Sequence, residues 1–149
     1  MAKPTFVYVT YIKATPERVW RALTDADTTA AYWGHSNVSD WQVGSPWEHQ
    51  RTDGSGTADV TGTVVESTPP SRLVTTWADP EAAPDAAVSQ VTFQIEAHGE
   101  LVRLTVTHED LADEAERDQA AAGWSAVISN LKTLLETGRA LPQAPWEMP

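Results

Sequence analysis

Residues 113–137 read DEAERDQAAAGWSAVISNLKTLLET, and this stretch decides the fold. Asp113 with Glu116 three residues later predicts a capping box, and Gly138 is the predicted helix stop. The apolar residues between them recur at spacings of three and four along one stripe: Trp124, Val127, Ile128, Leu131, Leu134 and Leu135. The pattern predicts a helix about 36 Å long. One side of this helix is apolar and must pack against another element.

Short strand patterns fill most of the sequence before this helix. A first strand at 6–12 is followed by two short helices, one capped by Thr15 and one capped by Asp25 and ended by Gly34. Six further strands, separated by turn residues, are predicted at 37–43, 46–52, 60–66, 72–77, 88–97 and 101–109. Tight turns favour antiparallel pairing, so the predicted class is α+β in the order β-α-α-β(six)-α.

Composition excludes several classes of protein. The 149 residues suit one domain, and a hydrophobic fraction of 41% suits a packed core rather than a disordered chain. The formal charge of -11 disfavours nucleic acid as a partner. The sequence shows neither an apolar run long enough for a membrane span nor a secretory leader. The absence of cysteine excludes disulfides and thiolate sites, so we expect a cytoplasmic protein.

Period-two alternation predicts which strand residues face the long helix. One predicted inner face carries Val91, Phe93 and Ile95, the neighbouring strand carries Leu104, Val106 and His108, and an earlier strand carries Trp47, His49 and Arg51. If the helix crosses this face, the side chains between helix and sheet form either a cavity or a packed core.

Several segments together resemble a known family: ATPERVWRALTD, VGSPWEH, GTVVESTPPSRLVTTW, VTFQIE, LTVTHEDL and AGWSAVISNLKTLLE. Their order resembles the activator-of-heat-shock-protein-90-ATPase-like branch of the START/SRPBCC (Bet v 1-like) superfamily. The resemblance implies a helix-grip fold, in which a curved seven-stranded antiparallel sheet wraps around the C-terminal helix with a cavity between them. It also implies a single domain over residues 1–138, which leaves 139–149 as a proline-rich tail.

The resemblance and the seven tryptophans predict a ligand pocket. Its candidate lining residues are Tyr8, Trp33, Trp41, Trp47, His49, Arg51, Trp77, Phe93, His108, Trp124, Ile128 and Leu131. His49 and Arg51 align with apolar residues of the family, which predicts a more polar cavity than usual. Each inward histidine either contacts a ligand or is satisfied by a protein neighbour. Trp20 is predicted to be core, while Trp146 docks onto the domain, docks onto a partner or stays free.

No motif assigns a catalytic residue, a cofactor or a metal site, because nucleophile-elbow and metal-ligand spacings are missing from the sequence. The leading hypothesis is a binding protein for a small hydrophobic molecule, aromatic or lipid-like. The first alternative is a polyketide cyclase/aromatase-like or hydrolase-type enzyme that uses the cavity histidines. The second is a chaperone-interacting protein of the heat-shock-protein-90 co-chaperone type. A homodimer is compatible with all three.

Overall fold

The computed structural model describes residues 3–83 and 85–148. Within them lie seven strands, three α-helices and a short 3-10 turn. In chain order these are β1 Phe6–Ile12, α1 Pro16–Thr24, α2 Ala26–Trp33, β2 His35–Val38, β3 Pro46–Arg51, β4 Ala58–Thr68, β5 Arg72–Trp77, β6 Ser89–His98, β7 Leu101–Glu109, α3 Glu114–Thr137 and the 3-10 turn Pro145–Glu147.

The strands form one antiparallel sheet in the order β1-β7-β6-β5-β4-β3-β2. Consecutive strands are neighbours except that β1 pairs with β7, with Tyr8 opposite Val106. This pairing places the first strand beside the last one. The helix α3 follows directly from β7 and crosses the curved sheet. The predicted α+β helix-grip is confirmed. No helix of the described residues is long and apolar enough to cross a membrane.

The long helix begins and ends as the sequence predicts. The Asp113 carboxylate accepts the Glu116 backbone N–H at 2.9 Å, which is one half of the predicted capping box. At the other end Gly138 takes the left-handed conformation, with φ at 83°, and its N–H donates to the Leu134 carbonyl. The apolar stripe from Trp124 to Leu131 is buried against the sheet.

The two short helices are capped as predicted, by Thr15 and Asp25, and Gly34 ends the second in the left-handed conformation. The strand predicted at 37–43 is wrong beyond Val38. Residues 39–45 form a loop in which Trp41 has a φ of 58°. Ser39 accepts the Trp41 N–H at 3.0 Å, so a side chain takes the backbone donor that a ladder would need.

Candidate functional site

Four tryptophans from four different elements meet at one end of the grip. Trp77 of β5 lies at their centre, with its ring centroid 5.2 Å from Trp47, 5.5 Å from Trp124 and 6.1 Å from Trp33. Trp33 and Trp124 touch edge-on at 5.4 Å, which is the geometry that the aromatic quadrupole favours. These rings therefore form one continuous cluster, which we call the tryptophan cluster: Trp33, Trp47, Trp77 and Trp124.

Hydrogen bonds fix the orientation of two of these rings. The Trp47 indole N–H donates to the Thr76 carbonyl at 2.9 Å, and it reaches that oxygen by passing over Gly62. The Trp124 indole N–H donates to His108 Nδ1 at 3.1 Å. Beside the cluster, Trp41 packs 6.3 Å from Trp47. The orientations of the Trp47 and Trp124 rings are therefore set by the protein itself.

A cleft of about 710 Å³ opens beside the tryptophan cluster, between the first half of α3 and the sheet. Its inner wall is made by Trp33, Trp77, Trp124, Ser89 and His108. Four carboxylates also line it, those of Asp59, Asp79, Asp113 and Glu116, and no lysine or arginine of the described ranges does so. The cleft is thus aromatic at its base and acidic in charge.

His108 joins Trp124 to Ser89 in a chain of hydrogen bonds with a defined direction. Because an indole N–H can only donate, His108 Nδ1 must accept from Trp124, and a neutral imidazole then carries its proton on Nε2. That Nε2–H donates to Ser89 Oγ at 2.8 Å, and Ser89 in turn donates to the Trp77 carbonyl at 3.1 Å. Burial lowers the pKa of His108 to about 4, so the neutral form persists at pH 7.

His49 lies behind the cluster in a second polar group. Its Nδ1 is 2.6 Å from the Asn37 side-chain oxygen, and its ring stacks on that of His35 at 4.1 Å. Burial, and then the neighbouring His35, lower the pKa of His49 to about 3. His35 Nε2 contacts Asp59, and hydrogen bonds from Arg51 and then His35 lower the pKa of Asp59 to about 2. His49 is therefore a buried neutral side chain with a protein partner.

The structure divides the twelve predicted lining residues. Four of them line the cleft: Trp33, Trp77, His108 and Trp124. Trp41, Trp47, His49 and Phe93 pack behind it, while Ile128 and Leu131 fill a closed core at no more than 1% exposure. An open cleft therefore lies beside the first half of α3, and a packed core lies beside its second half.

Tyr8 and Arg51 lie elsewhere. Tyr8 is half-buried on the edge strand β1, far along the sheet from β3. Arg51 faces solvent at the end of β3, where a register shift in β4 brings Asp59 alongside it, and the two side chains form an ion pair at 2.8 Å. Its predicted place in the cavity is therefore not observed. Arg51 lines a separate hollow of about 460 Å³ near Trp146.

The tail returns to the domain. Leu141 N–H donates to Asn130 Oδ1 at 2.7 Å, and the Trp146 ring lies edge-on to His35 at 5.7 Å and over Gly34. Of the three alternatives for Trp146, the structure supports docking onto the domain. Trp20, predicted as core, packs against the core in a partly buried position.

The other thirteen of the seventeen cleft residues escaped the sequence prediction, among them Ser89, Glu116 and Gly123. For Ser89 a signal was present, because it continues the alternation of Val91 and Phe93 one step toward the N-terminus. A glycine inside a helix costs about 1 kcal/mol relative to alanine. Gly123 was therefore a second signal. Among residues 3–83 and 85–148, no group of three or more His, Asp or Glu side chains could hold a metal ion.

Comparison with known proteins agrees with the fold and the order of its elements. CalU16 from Micromonospora echinospora superimposes with a TM-score of 0.73 at 20% identity, covering 93% of this chain and 77% of that chain. ChR145 from Cytophaga hutchinsonii superimposes with a TM-score of 0.73 at 26% identity, covering 91% of this chain and 95% of that chain. The Aha1 dimer from Colwellia psychrerythraea superimposes with a TM-score of 0.72 at 22% identity, covering 92% of this chain and 99% of that chain.

Comparison with curated protein sequences finds no match. The sequence pattern of one family, described as activator of Hsp90 ATPase homolog 1-like protein, matches residues 13–136. That span includes six of the seven tryptophans, strands β2 to β7 and all but the last residue of α3. The chain therefore belongs to the AHSA1 family of activator of Hsp90 ATPase homolog 1-like proteins.

Proposed function

We propose that this protein binds a small, planar, largely apolar molecule in the cleft beside the tryptophan cluster. The observation that carries the proposal is the convergence of Trp33, Trp77 and Trp124 on one cleft of about 710 Å³. Ligand pockets of proteins have volumes of a few hundred to about 1,000 Å³ and pair apolar walls with a few polar groups. The cleft has both properties.

The hydrogen bonding of the tryptophans supports the same proposal. Buried indole N–H groups usually find an acceptor, and those of Trp41, Trp47 and Trp124 do so within the protein. The indole N–H groups of Trp33 and Trp77 form no such hydrogen bond among the described residues, and both nitrogens remain accessible to solvent. Both line the cleft, so a bound molecule with a carbonyl or hydroxyl oxygen would supply what the protein does not.

The proton arrangement supports binding more than nucleophilic catalysis. A serine nucleophile needs a histidine nitrogen that accepts its proton. In this chain His108 Nε2 donates to Ser89 Oγ, and the Ser89 proton is directed at the Trp77 carbonyl. A hydrolase reaction would first have to reverse the hydrogen bond between His108 and Ser89, and to break those from Trp124 to His108 and from Ser89 to the Trp77 carbonyl.

Gly123 allows a test that leaves the tryptophans untouched. It lines the cleft on α3, and a Cβ built there meets no atom within 4 Å. We expect Gly123→Leu to fill the cleft, whereas Gly123→Ala adds one methyl group and serves as the matched control. The measurement is tryptophan fluorescence and thermal shift against naphthalenes, flavonoids, steroids and fatty acids. A ligand at a hundredfold excess over its Kd stabilises the native state by about 2.7 kcal/mol.

Saturable binding that Gly123→Leu removes and Gly123→Ala retains would support the proposal. Binding that both variants retain would place the ligand elsewhere. If no compound binds, the cleft loses its assigned role. The hypothesis to test would then be contact with a chaperone of the Hsp90 type, which is the role in the family's name, by pull-down of that chaperone.

A further inference from the structure

We infer that the ligand of the cleft is a planar aromatic molecule that carries a positive charge, such as an arylmethyl ammonium group. This inference rests on the proposed function and narrows it to one chemical class. It follows from the charges that line the cleft, from their existing partners and from the aromatic faces beside them.

Two of the four cleft carboxylates already have partners. Asp59 is paired with Arg51 at 2.8 Å, and Asp113 caps α3. The other two, Asp79 and Glu116, form no ion pair within the described ranges. Asp79 Oδ1 accepts only the Glu81 N–H, at 2.9 Å. The cleft therefore presents two carboxylates whose charge the protein does not neutralise.

The helix N-terminus does not reverse this charge. The end of a helix carries a partial charge of about +0.5. The first turn of α3 and its cap hold three carboxylates, on Asp113, Glu114 and Glu116, which exceed that charge. An adjoining hollow shares Asp79 and Glu116 with the cleft and contains Lys3, but Asp110 lines it too, so acids outnumber the base three to one. Both openings are negative.

The aromatic wall favours the same class of ligand. The face of an indole ring is the negative end of its quadrupole and attracts cations, tryptophan most strongly of the aromatic side chains. Trp77 lines the cleft and the adjoining hollow together with Asp79 and Glu116. A flat ring lying against the tryptophan cluster would therefore occupy a cleft whose lining also carries the exposed carboxylates of Asp79 and Glu116, which attract an ammonium group on that ring. An anionic molecule of equal shape would meet repulsion from these carboxylates and from a chain of formal charge -11.

Three naphthalenes of matched shape test the inference: 1-naphthylmethylamine, 1-naphthylmethanol and 1-naphthoic acid. By tryptophan fluorescence and calorimetry at low salt, we expect the amine to bind about tenfold more tightly than the alcohol, and the acid more weakly than both. Raising the salt concentration should weaken binding of the amine and leave binding of the alcohol unchanged.

The double variant Asp79→Asn/Glu116→Gln should abolish most of the difference between amine and alcohol. Its control is Glu114→Gln/Asp118→Asn, which removes the same charge from α3 at positions outside the cleft lining. The control should retain the preference for the amine. If both double variants lose the preference for the amine equally, the preference comes from net charge and the inference is overturned.

The outcomes separate the inference from the function on which it rests. If amine and alcohol bind equally and Gly123→Leu blocks both, the proposed function stands and the preference for a cation is refuted. If none of the three binds to the cleft at any concentration tested, both proposals fail.

Discussion

The two ends of α3 pack against the sheet with different kinds of side chain. Around its second half, α1 and β1 contribute Ile12, Val19 and Leu23 against Ile128 and Leu131, and each of these is at most 2% exposed. Around its first half lies the tryptophan cluster. The aliphatic end closes completely, because branched side chains without polar atoms interdigitate at the density of a crystal. The aromatic end leaves a cleft of about 710 Å³.

This difference has a physical cause. Indole rings are large and rigid, and each N–H needs an acceptor in a particular direction. Trp47 and Trp124 satisfy that need with Thr76 and His108, and these bonds fix the orientation of both rings. We infer that the aliphatic end supplies stability and the aromatic end supplies a pre-formed surface. The predictions that follow test this division.

Leu131→Ala should have the largest effect, because it opens a cavity in the closed end. Leu131 is 0% exposed. Large-to-small substitutions at such sites cost about 3–5 kcal/mol in free energy of unfolding. Urea unfolding followed by circular dichroism measures the loss, and Leu131→Met, which nearly conserves volume, is the control. A loss below about 1 kcal/mol would contradict the assignment of stability to this end.

Acid should destabilise the protein through its aromatic end. His49 and His108 have folded-state pKa values of about 3 and about 4, below the ordinary value of 6.5. The unfolded state therefore binds protons first, and the stability present above pH 6.5 is lost as the pH falls toward the folded-state values. We expect a loss on the order of 2 kcal/mol per histidine between pH 6.5 and pH 5.

Urea unfolding at pH 7, 6 and 5 measures this dependence. His108→Gln should make the slope shallower, since one of the two groups no longer titrates. Leu131→Ala should shift the whole curve downward without changing its slope, because neither Leu131 nor the aliphatic residues packed around it carry a titrating group. Equal slopes in the parent protein and in His108→Gln would show that this histidine is not held neutral.

Gly62→Ala should misplace Trp47. A Cβ on Gly62 would overlap both Trp47 Nε1 and the Thr76 carbonyl oxygen. We expect a loss of about 2–3 kcal/mol, because the ring must move and its hydrogen bond breaks. Near-ultraviolet circular dichroism should change with it. In a double-mutant cycle, Gly62→Ala should lower the free energy of unfolding less in the Trp47→Phe background than in the parent protein. Strict additivity of the two changes would contradict the proposed contact.

The sequence was sufficient for what depends on period and local chemistry. The caps at Thr15, Asp25 and Asp113, the bounds of α3 and the antiparallel pairing all follow from local patterns. The sequence also predicts which face of the sheet a strand residue lies on, but it does not predict how deeply the side chain is buried. Arg51 has the parity of Trp47 and His49, yet it lies where β3 ends, and the irregularity that places Asp59 beside it involves a different strand.

The cleft could not be predicted for a similar reason. Whether a tryptophan lines a cavity or fills a core depends on where its N–H finds an acceptor, and those acceptors are distant in sequence. Trp47 bonds to a carbonyl 29 residues away, and Trp124 to an imidazole 16 residues away. Ser89, by contrast, could have been predicted from the period-two pattern by extending it one step, from Val91 to Ser89.

Gly123→Ala should have the smallest effect and the opposite sign. Alanine is favoured over glycine inside a helix by about 0.8–1.0 kcal/mol, and no atom lies within 4 Å of the added Cβ. We therefore expect the free energy of unfolding to rise by about 0.5–1 kcal/mol, measured by urea unfolding at pH 7. Ala122→Gly, one position away on an exposed part of the same helix, should lower it by a similar amount and calibrates the helix term. A destabilising Gly123→Ala would mean that the first half of α3 packs more closely than described. The contrast between an open aromatic end and a closed aliphatic end would then fail at its most accessible position.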